Sequence, residues 1–220
     1  MSRSKQSKPL FRKPRQVRDA EATKSQILDA AMEEFAKYGL NGARTENIAS
    51  GSGVTKAMIY YYFESKEALY QAVLNQLALQ LNELGLAKLN LNELHPESAL
   101  KTAVYAFITY QATHPCFGRI LWQEALQNQG KYYKQIDWNQ SYKYLLEILE
   151  RGINIGCFRQ FDPFLTAMHI NGVCNFYFDA YENIKHLTPN LDLRSPEMIE
   201  KHAQAAIDFI MAGVANRGEE

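Results

Sequence analysis

The chain has 220 residues, 46% of them hydrophobic, with 24 basic and 24 acidic side chains that cancel to a net charge of zero. That is enough apolar material for a sizeable core in one or two domains. No run approaches membrane-spanning length, and the N-terminus lacks the apolar stretch of a secretory signal. Cys116, Cys157 and Cys174 are odd in number and spaced unlike a zinc site, which points to a reduced, cytoplasmic setting.

The zero net charge conceals an asymmetry. Residues 1–66 hold 12 Lys and Arg against 7 Asp and Glu, and the remainder holds 12 against 17. A basic N-terminal end suits a protein that presents that end to a polyanion. Residues 1–18 carry Arg3, Lys5, Lys8, Arg12, Lys13, Arg15 and Arg18 without an acid. Pro9, Pro14 and several serines there disfavour helix, so residues 1–20 are expected to form a disordered basic arm. It serves either as a solubilising tail or as an extension that tracks phosphates.

Ala22 to Tyr38 follows as a first helix, with Ile27, Ala31 and Phe35 spaced for one apolar stripe and Gly39 as its stop. Thr45 to Tyr70 reads TENIASGSGVTKAMIYYYFESKEALY. Thr45 is placed as the N-cap of a short helix burying Ile48 and Ala49. Gly51, Ser52 and Gly53 make a sharp turn, and Val54 plugs the corner. Thr55 caps a second short helix, Lys56 to Phe63, that buries Ile59 and Phe63 at i,i+4 spacing. Tyr60, Tyr61 and Tyr62 span most of the helix circumference and cannot all face one core. This argues against a plain helical hairpin and for a helix lying in a DNA major groove.

These residues resemble a known family. The pattern IAxxxGVTKAMIYYYFxSKEALY, with ILDAAMEEFAKYG upstream, is similar to the DNA-binding signature of the tetracycline-repressor (TetR) family over roughly residues 23–73. Ser52 departs from it, since the family usually has alanine there. The resemblance implies an all-α homodimer with an N-terminal three-helix helix-turn-helix domain (residues 21–80) and a C-terminal helical effector-binding and dimerisation domain (residues 81–220). It implies repression at a pseudo-palindromic operator in double-stranded DNA, relieved by a small effector. By position, Arg44 and Thr45 would meet phosphate, and Lys56, Ala57 and Met58 would face base edges. Tyr60 and Tyr61 would touch bases or backbone, and Tyr62 and Lys66 would pin the backbone.

Ser65 caps the next helix, which runs through Leu69, Val73, Leu77 and Leu81 to Leu84 as a rod into the second domain; the resemblance gives it the role of relaying effector binding. Gly85 to Glu93 is a connection. Pro96 opens a helix to about Thr113, His114-Pro115 breaks it, and Phe117 to Gln129 follows with Phe117, Ile120, Leu121 and Ala125 inward. Trp138 to Ile155 is the clearest amphipathic helix. Asp162-Pro163 opens a helix to about Ile184 that is apolar nearly all round, and Ser195-Pro196 opens the last helix, to about Val214. Ala203, Ala206 and Gly213 of that helix permit close approach, so the last two helices are expected to form the dimer interface.

No glycine-rich phosphate loop is present, and no histidine pairs with a carboxylate or cysteine at ligand spacing. No enzyme activity, cofactor, metal or membrane partner is expected. Polar residues among bulky apolar ones suggest an effector pocket from Tyr105, Tyr110, Phe117, Trp122, Tyr144, His169, Asn171, Asn175 and Tyr177. The alternative is a second domain that serves only for dimerisation or protein docking.

Overall fold

The computed structural model describes residues 15–83, 91–136 and 138–217. Most of the expected basic arm, residues 1–14, lies outside the described residues, as does the greater part of the expected connection from Gly85 to Glu93, residues 85–90. Among the described residues ten α-helices follow one another: α1 (Arg15–Gly42), α2 (Thr45–Ser52), α3 (Lys56–Phe63), α4 (Lys66–Glu83), α5 (Pro96–Thr113), α6 (Cys116–Asn128), α7 (Asn139–Asn154), α8 (Pro163–Asp179), the short α9 (Tyr181–Ile184) and α10 (Pro196–Val214). Among the described residues there is no strand, only an isolated antiparallel bridge between Phe158 and Ala215. No described helix is long and apolar enough to cross a membrane.

Local chemistry accounts for most boundaries. Helix α1 starts at Arg15, seven residues before the expected Ala22, so residues 15–20 belong to the helix rather than to the arm. It is interrupted at Gly39 (φ 66), after which Leu40 folds back into the core. Thr45 is not the cap of α2. Arg44 holds that position without a side-chain bond, and its N–H is satisfied by Glu34 Oε1 at 2.9 Å, from α1. Gly51 and Ser52 continue the helix, and only Gly53 (φ 69) makes the turn, in the left-handed region that costs other residues most. Ser52 Oγ bonds back to the carbonyl of Ile48 at 2.7 Å, so the hydroxyl is accommodated within its own helix. Thr55, Asp162 and Ser195 each accept a backbone N–H three residues on, as N-caps.

Two apolar cores hold the helices. The first gathers Ile27, Phe35, Ile48, Ile59, Phe63, Leu69, Tyr70 and Leu77 from α1–α4, and extends without a break to Phe117, Ile120, Tyr132 and Trp138. Helix α1 packs on α2, α4 and α6 together. The division expected near residue 80 is therefore bridged by a shared core. The second core joins α5, α7, α8 and α10 with Leu91 and Phe158. Phe158 is buried against Gly152, where a Cβ would overlap its ring. Beyond it the backbone pairs with the chain end, Arg159 N–H to the Val214 carbonyl at 2.9 Å and Asn216 N–H to that of Cys157 at 2.9 Å.

Three expectations are corrected in the second domain. On α6, Ala125 is exposed and Glu124 takes the inward position. The helix from Pro163 ends at Asp179, and α9 follows a break at Ala180. On α10, Ala203, Ala206, Ile207, Ile210 and Val214 are buried within the protomer, where α10 packs on α5. Those small residues set an intramolecular distance. The opposite side of α10 is the exposed one, with Phe209 69% accessible.

Candidate DNA-binding head and ligand cavity

Helix α3 is anchored by Ile59 and Phe63, which fixes what it presents outward. Lys56, Ala57, Met58, Tyr60 and Tyr61 are exposed, Tyr61 at 82%, while Tyr62 is half-buried against the first core with its ring edge-on to Tyr61 at 5.3 Å. A short helix with one buried seam and a projecting rim of basic, small and phenolic side chains has the shape and chemistry to enter a major groove. Lys56 Nζ lies 2.5 Å from Glu46 Oε1, at the start of α2, and 5.9 Å from the Tyr60 ring. This pairing holds the Glu46 carboxyl below its ordinary range and raises the Lys56 ammonium.

Arg44, Thr45, Tyr60 and Lys66 line one shallow depression between the start of α2 and the start of α4. Arg44 is exposed. The Thr45 side chain is buried, so the helix start, rather than a projecting hydroxyl, is what faces that depression. Lys66 is half-buried and donates to the carbonyls of Ala43 (3.2 Å) and Asn41 (3.4 Å), tying α4 to the turn before α2. Between α3 and α4, Glu64 sits at φ 63, a conformation that costs a non-glycine residue about 1–3 kcal/mol. The surrounding caps hold it: Glu64 N–H bonds the Tyr60 carbonyl at 2.9 Å, and Ser65 Oγ accepts from Ala68 N–H at 3.0 Å.

The second candidate site is a cavity of about 640 Å³ bounded by α4, α5, α6, α7, α8 and the segment 133–138. Phe107, Phe117, Tyr133, Trp138, Tyr142 and Phe164 form much of its wall, and Leu81 brings α4 to it. Its size and apolar character are those of a small-molecule site. Of the residues expected here, the cavity brings together Phe117, Asn171 and Asn175. The others stand elsewhere. Tyr105 is exposed and donates to Glu200 at 2.8 Å. Tyr110 is buried in the first core, stacked on His114, and burial pushes its phenol up to about 12. Trp122 is exposed and donates to Asp179, and Tyr144 lies on α7 outside the lining. His169 is exposed, and Tyr177 donates to the Leu193 carbonyl at 2.6 Å while stacking on His202.

Two of the wall residues not anticipated, Phe164 and Met168, had a readable signal. Phe164, Met168, Asn171 and Asn175 follow one another at three- and four-residue steps, so they share one face of α8, which His169 and Tyr177 do not. Tyr133 had no such signal, because it depends on a distant carboxylate. The buried Glu124 accepts the N–H groups of Tyr132 (2.7 Å) and Tyr133 (3.1 Å) and the Asn128 amide (2.7 Å). That fixes a turn with Tyr133 on the cavity and Tyr132 edge-on to Tyr70 of α4 at 5.5 Å. The Tyr70 phenol is raised above its ordinary range by burial and by Glu124. Gln71, the next residue of α4, donates to Gln135 at 2.8 Å. Among the described residues no group of three or more His, Cys, Asp or Glu could hold a metal ion.

Two family models match the chain. Residues 27–73 match bacterial regulatory proteins of the tetR family, and residues 96–210 match the tetracyclin repressor-like C-terminal domain. The HTH-type transcriptional repressor NicS of Pseudomonas putida is 34% identical over 168 residues, covering 73% of this chain and 78% of NicS. The HTH-type transcriptional regulator RutR of Escherichia coli is 36% identical over 111 residues, half of each chain. Among solved structures, the hemolysin II transcriptional regulator HlyIIR is similar at a TM-score of 0.63 and 26% identity, covering 90% of this chain and 99% of its own. KstR2 of Mycobacterium tuberculosis, a ketosteroid transcriptional regulator, shares the fold at a TM-score of 0.69 and 21% identity, over 88% of this chain and 95% of its own.

Proposed function

Since the chain belongs to the tetracycline-repressor family of transcriptional regulators, we propose that it is a cytoplasmic homodimeric repressor released from a pseudo-palindromic operator by a small effector. The observation that carries the DNA half of this reading is the outward rim of α3, from Lys56 to Tyr61, on a helix with only one buried seam. In this reading Lys56, Ala57 and Met58 meet base edges, Tyr60 and Tyr61 meet bases or backbone, and Arg44, Thr45, Tyr62 and Lys66 meet phosphates.

The effector half rests on the cavity and its contact with α4. A ligand against Tyr133 shifts the 132–135 turn, and Tyr132 and Gln135 carry that shift to Tyr70 and Gln71, one turn into α4. The two heads of a dimer fit successive major grooves about 34–36 Å apart, so a tilt of α4 that changes their spacing lowers operator affinity. The dimer forms through the exposed stripes of α8 (Leu165, Gly172, Phe176) and α10 (Ala205, Phe209, Ala212).

The test is selection of DNA from a random pool by the purified full chain. A recovered inverted repeat with half-sites about one helical turn apart supports the reading; recovery of unrelated sequences at every salt concentration would sink it. A second domain that serves for dimerisation alone would leave the cavity without an occupant and Tyr133 without a role.

A further inference from the structure

The aromatic cavity carries a small set of polar groups whose bonding states define what a ligand must bring. Asn171 Nδ2 donates to the Ala167 carbonyl at 2.9 Å, one turn back along α8. A carbonyl can only accept, so this bond fixes the amide's orientation and leaves the Oδ1 of Asn171, a residue of the cavity lining, as an acceptor. Asn175, four residues on, is held from the other side: buried Gln111 on α5 donates to its Oδ1. Its two Nδ2 hydrogens remain to be donated. The asparagines stand on the same face of one helix and both line the cavity.

The rest of the lining sets the charge. Burial raises the Tyr133 and Tyr142 phenols and pushes the Cys174 thiol up to about 12, so these groups are neutral at physiological pH. Among the described residues no carboxylate lines the cavity, and the lysine that does, Lys134, is exposed. A charged ligand packed against Phe107, Phe117 and Trp138 would lose hydration with no buried counter-charge among the described lining residues. An uncharged ring loses little and gains contact with the aromatic walls.

We propose that the effector is an uncharged, largely flat ring compound whose edge carries a hydrogen-bond donor and an acceptor, such as a lactam, cyclic imide or ring carboxamide, read by Asn171 Oδ1 and Asn175 Nδ2 respectively. This rests on the cavity being the effector site. The two amides then act as a specificity filter. A site that hydrogen-bonds its ligand rejects an analogue lacking the group, because the buried amides are left unpaired.

The experiment is calorimetric titration of the full chain with three two-ring probes of nearly equal size: 2-quinolone, quinoline and quinoline-2-carboxylate. The expected order places 2-quinolone at least tenfold tighter than either of the others. Asn171→Leu should erase that advantage. Asn175→Asp keeps the acceptor that Gln111 requires but replaces the donor, and should erase it as well. Equal binding of quinolone and quinoline, tighter binding of the carboxylate, or an unchanged preference in both variants overturns the lactam assignment while leaving the cavity as a ligand site. If no probe releases heat or raises the melting temperature, the assignment and the effector reading of the cavity fall together.

Discussion

Lys56 Nζ lies 2.5 Å from Glu46 Oε1, so the first basic group of α3 is paired within the protein itself. Both side chains are largely exposed, and such pairs contribute little to folding. In the proposed binding mode the pair matters, because Glu46 would compete with DNA for the ammonium and would add a negative charge beside the phosphates. Glu46→Gln is predicted to tighten binding to operator and random DNA alike, with an unchanged melting temperature. A gain confined to the operator would instead make Glu46 a base-reading residue.

Lys66 has a bonding role in the fold and a proposed role toward phosphate, which one variant separates. Its ammonium donates to the carbonyls of Asn41 and Ala43, which leaves a third hydrogen for a phosphate. Lys66→Ala is predicted to weaken binding to all sequences and to reduce the slope of log K against log salt by about 0.9 per head. A fall in melting temperature with the slope intact would assign Lys66 to the turn alone.

The corrected orientation of α10 changes which substitution tests the dimer. Phe209→Arg places a charge on the exposed stripe and should give a folded monomer with native helix content and greatly weakened operator binding, measured by sedimentation and gel shift. Ala206→Arg drives a long charged side chain into the packed contact with α5, and should destabilise the protomer itself by about 3 kcal/mol or more. If Phe209→Arg sediments as wild type, the interface lies elsewhere.

Glu124 offers a graded test of the turn that links the cavity to α4. Its Oε1 accepts two backbone N–H groups and its Oε2 accepts the Asn128 amide. Glu124→Ala orphans all three donors, and each buried one costs about 1–3 kcal/mol. Glu124→Gln keeps an oxygen for the backbone and sets one amide N–H₂ against another only at Asn128. Thermal melts should therefore rank wild type above Gln and Gln above Ala. Effector-induced release from DNA should weaken in the same order, and a full response in the Ala variant would remove the turn from the relay.

What the sequence disclosed, and what it did not, divides by the range of the interaction. Gly53, Thr55, Asp162-Pro163 and Ser195-Pro196 declare their helix ends because capping acts within three residues. The start of α2 was misplaced because Glu34, ten residues upstream, satisfies Arg44 in place of a local cap. Periodicity correctly grouped Ala203, Ala206 and Ile207 on one side of α10, but a period carries no information on which neighbour that side meets. The pocket suffered most. Tyr105, Trp122 and Tyr177 are suitable as walls by type, yet each phenol or indole is engaged by a partner many positions away.

The core running from Ile27 to Trp138 has a consequence for how such a protein diversifies. A DNA-reading head joined to its sensor by a bare linker could be exchanged between relatives like a cartridge. Here Tyr70 and Leu77 would be stripped of cover by a cut at residue 80, since Tyr132, Ile136 and Trp138 belong to the same apolar cluster. If the proposed reading of α3 holds, a chimaera that changes operator preference while keeping the second domain must therefore graft the exposed rim of α3 alone, or carry α6 and Tyr132, Ile136 and Trp138 with the head.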